Sequence, residues 1–255
     1  MAHIREHNSF LAAAEKRALI YIAARLPRRI NSDHLSALGL ISMAGAGAAF
    51  AGLRFTPWAA LAVVACLVAN WFGDSLDGTV ARVRNQQRPN YGFYVDHVID
   101  VAGSAFLLSG LAGSGLMSPI IALGLLVAYL LVSAETYLAT HARGVFRMSF
   151  LGFGPTELRI LLAGGAIKAA MTPFIDVPVL GPTLMFDLGG AIGALGLIVA
   201  FAANAVRNTR ALYLAEPIPQ LGQQVQNISG DSARSADSAR SADSTNSASS
   251  ALVLS

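Results

Sequence analysis

Six apolar runs, at about residues 35–53, 57–77, 93–113, 118–138, 158–174 and 184–206, constrain what this chain can become. Each has roughly the 18 to 22 residues that an α-helix needs to cross about 30 Å of hydrocarbon at ~1.5 Å per residue. Barrel strands span the same depth in only about 10 residues. The expected fold class is therefore all-α, an integral membrane bundle of six transmembrane helices. Composition agrees: 54% of the 255 residues are hydrophobic, 13% are charged and the mean hydropathy is +0.54. That balance does not suit a water-soluble globule.

The cations alternate along the chain. Arg5, Lys16, Arg17, Arg25, Arg28 and Arg29 precede the first run, and Arg82, Arg84 and Arg88 follow the second. Arg143 and Arg147 follow the fourth, and Arg207 and Arg210 the sixth, whereas the opposite connections carry little beyond Arg54 and Lys168. The positive-inside rule then puts both termini and these two connections in the cytosol, and the chain in the cell (inner) membrane as a multi-pass protein. A net charge of +3 distributed in this way meets an anionic leaflet, so nucleic acid is not needed as a partner. The first thirty residues are charged and mixed, unlike a cleavable signal peptide, so the first run is expected to act as the insertion signal. Cys66 lies inside the second run and reads as a small buried hydrophobe.

Three segments are expected. Residues 1–30 form an amphipathic juxtamembrane segment whose helix, over residues 3–26, lies on the membrane surface or packs on the loops and ends before Pro27. Residues 31–212 form the six-helix domain, with Ser32 or Asp33 capping a helix that starts near His34. Residues 213–255 form a tail that repeats Ser-Ala-Arg-Ser-Ala-Asp from Ser232 to Asp243. Its apolar surface is too small to offset chain entropy, so disorder is expected.

Four acids interrupt this apolar chain at its basic side. Asp74, Asp77, Gly78 and Ala81 share one helix face, and Gly92, Asp96 and Asp100 form a stripe along the next helix. Carboxylates at membrane depth are costly, and four converging ones repel unless cations balance them. All-oxygen donors favour two hard ions, Mg²⁺ or Mn²⁺, and a two-metal site suits displacement at phosphorus. Gly78, Ala81 and Gly92 remove bulk where a pyrophosphate would approach the backbone, and Arg82 offers it a forked donor.

The pattern D-x-x-D-G-x-x-A-R, nine residues, then G-x-x-x-D-x-x-x-D resembles the signature of the CDP-alcohol phosphatidyltransferase family, and every fixed position is filled. The resemblance covers roughly residues 30 to 210. It implies a CDP-linked lipid donor, commonly CDP-diacylglycerol, with the CDP moiety held near Asp77, Gly78, Ala81, Arg82 and Gly92. It also implies that Asp74, Asp77, Asp96 and Asp100 bind two metals, that Asp100 doubles as general base, and that the protein is a homodimer. The reaction would move a phosphatidyl group to the hydroxyl of an acceptor alcohol and release CMP, a step of phospholipid biosynthesis. A metal-binding carboxylate is a weak base, so the acceptor hydroxyl would need acidifying as well.

The acceptor is less constrained. Arg143, Arg147, Arg159 and Arg207 lie toward the same membrane face and could hold the phosphate of a phosphorylated acceptor, although positive-inside anchoring accounts for them equally. Glu135 and Glu157 add two acids near that face. Glu157 suits a helix N-terminus or a local pair with Arg159 or Arg143. The string Gly154-Pro155-Thr156-Glu157 is similar to one in the choline and ethanolamine phosphotransferase branch, which leaves a CDP-aminoalcohol phosphotransferase acting on diacylglycerol as an alternative. Prenyl transfer from a diphosphate shares the metal logic but does not call for the Gly-Ala-Arg elements. A divalent-cation transporter or sensor would instead place acids at mid-membrane.

Overall fold

The computed structural model describes residues 12–143, 155–178 and 181–216. Among them are α1 (Ala12–Arg25), α2 (Ser32–Gly52), α3 (Ala59–Val83), α4 (Pro89–Gly113), α5 (Pro119–Arg143), α6 (Pro155–Met171), β1 (Phe174–Val177), β2 (Gly181–Leu184) and α7 (Met185–Ala215). Of the expected juxtamembrane helix, residues 3–11 lie outside the described residues, as do Arg147, Gly154 and the repeated tail.

Local signals explain the helix ends. The cap of α2 is Asn31, one residue before the expected Ser32 or Asp33: its side-chain oxygen accepts from the His34 amide at 2.9 Å, and His34 Nδ1 accepts from the Asn31 amide at 3.3 Å. Ser32 is instead engaged by α3, its hydroxyl donating to the Asp77 carbonyl at 2.9 Å. Pro89 opens α4, where its missing N–H leaves no helical bond unmade.

The fold departs from all-α at one place. The fifth run, expected over 158–174, is helical only to Met171, because Pro173 cannot continue the ladder. An antiparallel hairpin follows, pairing Phe174 with Leu184 and Val177 with Gly181. Gly181 has φ +73°, a conformation that glycine adopts without a Cβ penalty. Five of the described helices, α2, α3, α4, α5 and α7, are long and apolar enough to cross a membrane; α6 has 17 residues. The chain divides into a unit ending at Arg207 and a second from Asn208, of which the described part, 208–216, is the helical end of α7 with Glu216.

In the first unit α2 packs against both α3 and α4, α3 also meets α1 and α6, and α4 meets α5. One apolar cluster gathers Ala46, Phe50, Val63, Leu67, Leu107, Leu111 and Phe186. Phe186 at the start of α7 meets Phe50 edge-on, with centroids 5.7 Å apart. A second cluster joins Leu19 and Ala23 of α1 to Leu35, Leu76 and Val80. So α1 buries its apolar face on α2 and α3, and Arg84 fastens the link behind it by donating to the Ile30 and Leu26 carbonyls at 2.6 and 2.9 Å. Along α3, Asn70 and Asp74 fall between the residues of these two clusters.

Glycines set how near the helices come. A Cβ on Gly73 of α3 would lie 2.5 Å from the Leu35 carbonyl oxygen and 2.8 Å from the Gly39 nitrogen of α2. A Cβ on Gly110 of α4 would run into the backbone of Gly47, and one on Gly47 into the Phe106 carbonyl. Backbone-to-backbone packing of this kind substitutes for the hydrophobic drive that lipid does not supply between helices. Gly73→Ala should therefore destabilise the protein by about 1–3 kcal/mol, read as a lower detergent-solubilised unfolding midpoint. Gly124→Ala, where a Cβ meets nothing within 4 Å, should leave the midpoint unchanged or slightly raised.

Candidate active site

Asp74 projects from α3, and Asp96 and Asp100 from α4, four residues apart and so on one face. The common contact of α3 and α4 with α2 brings them together: one carboxylate oxygen from each of the three lies within 4.8 Å of the others. All three are half-buried. Like charges this close repel at reduced dielectric, so the group calls for cations.

One cation is supplied by α6. Arg159 donates to the Asp74 carboxylate at 2.5 Å and, through Nε, to the Asn70 side-chain oxygen at 2.7 Å. Side-chain exposures of 16% for Arg159 and 28% for Asp74 put the pair beyond the full screening of a surface salt bridge. Asn70 is buried one turn before Asp74 and donates to the Gly39 carbonyl at 2.9 Å. The arginine expected as an acceptor contact thus reaches one of the acids, Asp74.

Asp77, the fourth acid, is held by partners of its own. Its carboxylate accepts from the Ser36 hydroxyl of α2 at 2.6 Å and from the Gly78 amide. Arg82 folds back along α3, donating to the Thr79 hydroxyl at 3.0 Å, and its guanidinium lies 3.4 Å from where a Gly78 Cβ would be. Ala81 is half-buried on the same helix, and a Cβ on Gly92 would meet nothing within 4 Å, so the start of α4 is open on that side. Glu157 lies in the first turn of α6 and Arg143 at the end of α5.

Neighbours that the motif did not single out complete the surroundings. Between Asp96 and Asp100, His97 is buried, with its ring 4.1 Å from Phe93 and 4.7 Å from Tyr137 of α5. Its Nδ1 sits 2.6 Å from the Phe93 carbonyl oxygen. A carbonyl only accepts, so that nitrogen carries the proton. In the α3–α4 connection, one terminal nitrogen of Arg88 donates to both carboxylate oxygens of Asp33, in the first turn of α2, at 2.7 and 2.9 Å, and this hydrogen bond, with the nearby negative charge, raises the arginine's pKa further above neutrality. Of these, Asn70 left a trace in the sequence as a polar residue inside an apolar run. Ser36, 41 residues from Asp77, left none.

Residues 34–205, well over half of the chain, match the family model described as CDP-alcohol phosphatidyltransferase. The chain belongs to the CDP-alcohol phosphatidyltransferase family. Comparison with curated proteins gave no match. The chain is thus a multi-pass membrane enzyme of lipid biosynthesis that transfers a phosphate-linked group from a CDP-alcohol to an alcohol acceptor. The family uses divalent metals, and the donor set fits one: three carboxylates offer hard oxygen ligands at one point. Asp96→Asn should weaken Mn²⁺ binding by about tenfold or more, measured by titration followed by electron paramagnetic resonance.

Proposed function

We propose that this enzyme moves the phosphatidyl group of CDP-diacylglycerol to the hydroxyl of an acceptor alcohol and releases CMP. The observation that carries the reading is the convergence of Asp74, Asp96 and Asp100 within 4.8 Å, beside an open Gly92. In this reading Asp74, Asp77, Asp96 and Asp100 hold two Mg²⁺ or Mn²⁺ ions. Bound there, the ions would neutralise the phosphate oxygens and the charge on departing CMP.

The chain's own residues do the rest. Asp77, Gly78, Ala81, Arg82 and Gly92 receive the CDP moiety, the small residues by allowing close approach and Arg82 by forked donation to phosphate. Asp100 takes the proton from the acceptor hydroxyl. The new oxygen–phosphorus bond forms at the β-phosphorus as the bond to CMP breaks. Arg159, already beside Asp74, contributes a donor for phosphate oxygens, of the donor lipid or of a phosphorylated acceptor, and Arg143 and Arg147 are further candidates to hold a phosphorylated acceptor.

The setting follows from the basic segments. The α3–α4 connection, with Arg84 and Arg88, joins the two helices that bear the acids, so the site opens to the cytosolic leaflet of the inner membrane and both termini are cytosolic. With α6 as a short sixth crossing of about 25 Å, the parity of spans is even. The protein works as a homodimer.

A second reading, a CDP-aminoalcohol phosphotransferase acting on diacylglycerol, draws on Glu157 in the first turn of α6, two residues from Arg159. The experiment is CMP release by purified protein with Mn²⁺ or Mg²⁺. One arm holds CDP-diacylglycerol with a panel of alcohols and sugar or polyol phosphates; the other holds CDP-choline or CDP-ethanolamine with diacylglycerol. Turnover is expected in the first arm, and Asp100→Asn should lower it by about 10²-fold or more. Undiminished turnover in that variant would remove Asp100 from the mechanism, and turnover confined to the second arm would select the second reading.

A further inference from the structure

We propose that Asn70 is a positioning residue that aims Arg159 at the Asp74 edge of the site and thereby sets how strongly the acids there hold a divalent cation. The inference rests on the metal-dependent reading above, and begins from hydrogen-bond directions. The Asn70 amide has one donor side and one acceptor side, and both are used: Nδ2 donates to the Gly39 carbonyl at 2.9 Å and Oδ1 accepts from Arg159 Nε at 2.7 Å. A carbonyl can only accept and a guanidinium can only donate, so the two partners fix which way the amide points. Reversing it would lose both bonds.

The Gly39 end is rigid. A Cβ on Gly39 would lie 3.7 Å from both Asn70 Nδ2 and the Asp74 amide, so α2 runs directly over this turn of α3. Asn70 is therefore anchored to the α2 backbone, and its free oxygen presents a fixed acceptor one helical turn from Asp74. Arg159 uses one edge of its planar group, Nε on Asn70 and the neighbouring terminal nitrogen on Asp74 at 2.5 Å. Fixing one nitrogen fixes the other, which a flexible lysine could not achieve.

A guanidinium held on a carboxylate competes with a divalent cation for that oxygen and repels it. Asn70 thus keeps the acids from binding metal too tightly and keeps a donor pointed at the phosphates that arrive with it. Its role is not that of a catalytic residue, since it acts only through Arg159.

The test is a double-mutant cycle read by Mn²⁺ titration of the full-length, detergent-purified protein, with CMP release in parallel. Arg159→Gln should tighten Mn²⁺ binding by about threefold or more while slowing CMP release, and Asn70→Leu should move both quantities the same way. The double variant should match Arg159→Gln alone, because Asn70 has nothing left to position. Multiplying effects in the double variant, or wild-type Mn²⁺ affinity in Asn70→Leu, would overturn the proposal. Arg159→Lys guards against a folding defect at Asn70: it keeps the charge but cannot span Asn70 and Asp74, so its Mn²⁺ affinity should rise too, and an unchanged affinity would count against the proposal. A wild-type protein that neither binds Mn²⁺ nor releases CMP would instead remove the metal-dependent reading, and this inference with it.

Discussion

The close approach of α2 to α3 and α4 is the constraint on which the site depends. Gly73 lets the α2 backbone at Leu35 and Gly39 come within a distance that any side chain would forbid, and Gly47 with Gly110 does the same toward α4. Asp74 immediately follows Gly73, so the position of its carboxylate inherits the precision of that backbone contact. Asp96 and Asp100 sit on the half of α4 that precedes its contact with Gly47. A membrane protein cannot draw helices together by expelling water from apolar faces. Here the small residues that bring the helices together also bring three like charges to one point.

That convergence has an electrostatic cost, and the molecule meets it with neighbouring helices rather than with solvent. The guanidinium of Arg159 rests on Asp74, one of the three carboxylates, Asn70 of α3 holds that guanidinium by its Nε, and Ser36 of α2 donates to the fourth acid, Asp77. α6 is therefore more than a lipid-facing element: it packs against α3, and its first turns place the cation on Asp74. Its 17 residues suit that duty, since the helix has to reach Asp74 from one end and still bury Ala166 and Ala169 in the apolar cluster.

Much of this was legible in the residues and some was not. The helical class, the helix-face placement of the motif and the meeting of Asp74 with Asp96 and Asp100 follow from run lengths and from three- and four-residue spacing, which local geometry obeys. The cap at Asn31 was off by one residue because Ser32, an equally good cap by type, is drawn to the Asp77 carbonyl across the interface. The hairpin at Phe174–Leu184 was hidden because Phe174 and Ile175 extend an apolar run, and only Pro173 marks the break. Arg159 looked like any cation near a basic membrane face. Its route to Asp74 depends on how α6 meets α3, a contact between positions 85 residues apart that no local pattern encodes.

Asp77 shows how motif and geometry can differ without conflict. The family signature groups it with the other three acids, yet its carboxylate rests on Ser36 and the Gly78 amide. Leaving Ser36 forfeits one hydrogen bond to a charged group, worth about 1.5–3 kcal/mol. A divalent cation a few ångströms away attracts a carboxylate by several kcal/mol, on the order expected at an effective dielectric near 20. The Ser36 bond is thus too weak to oppose a ligand role for Asp77, and it gives that carboxylate a defined resting place beside the three that converge. Keeping the fourth negative charge on neutral donors lowers the repulsion that the glycine contacts would otherwise have to overcome.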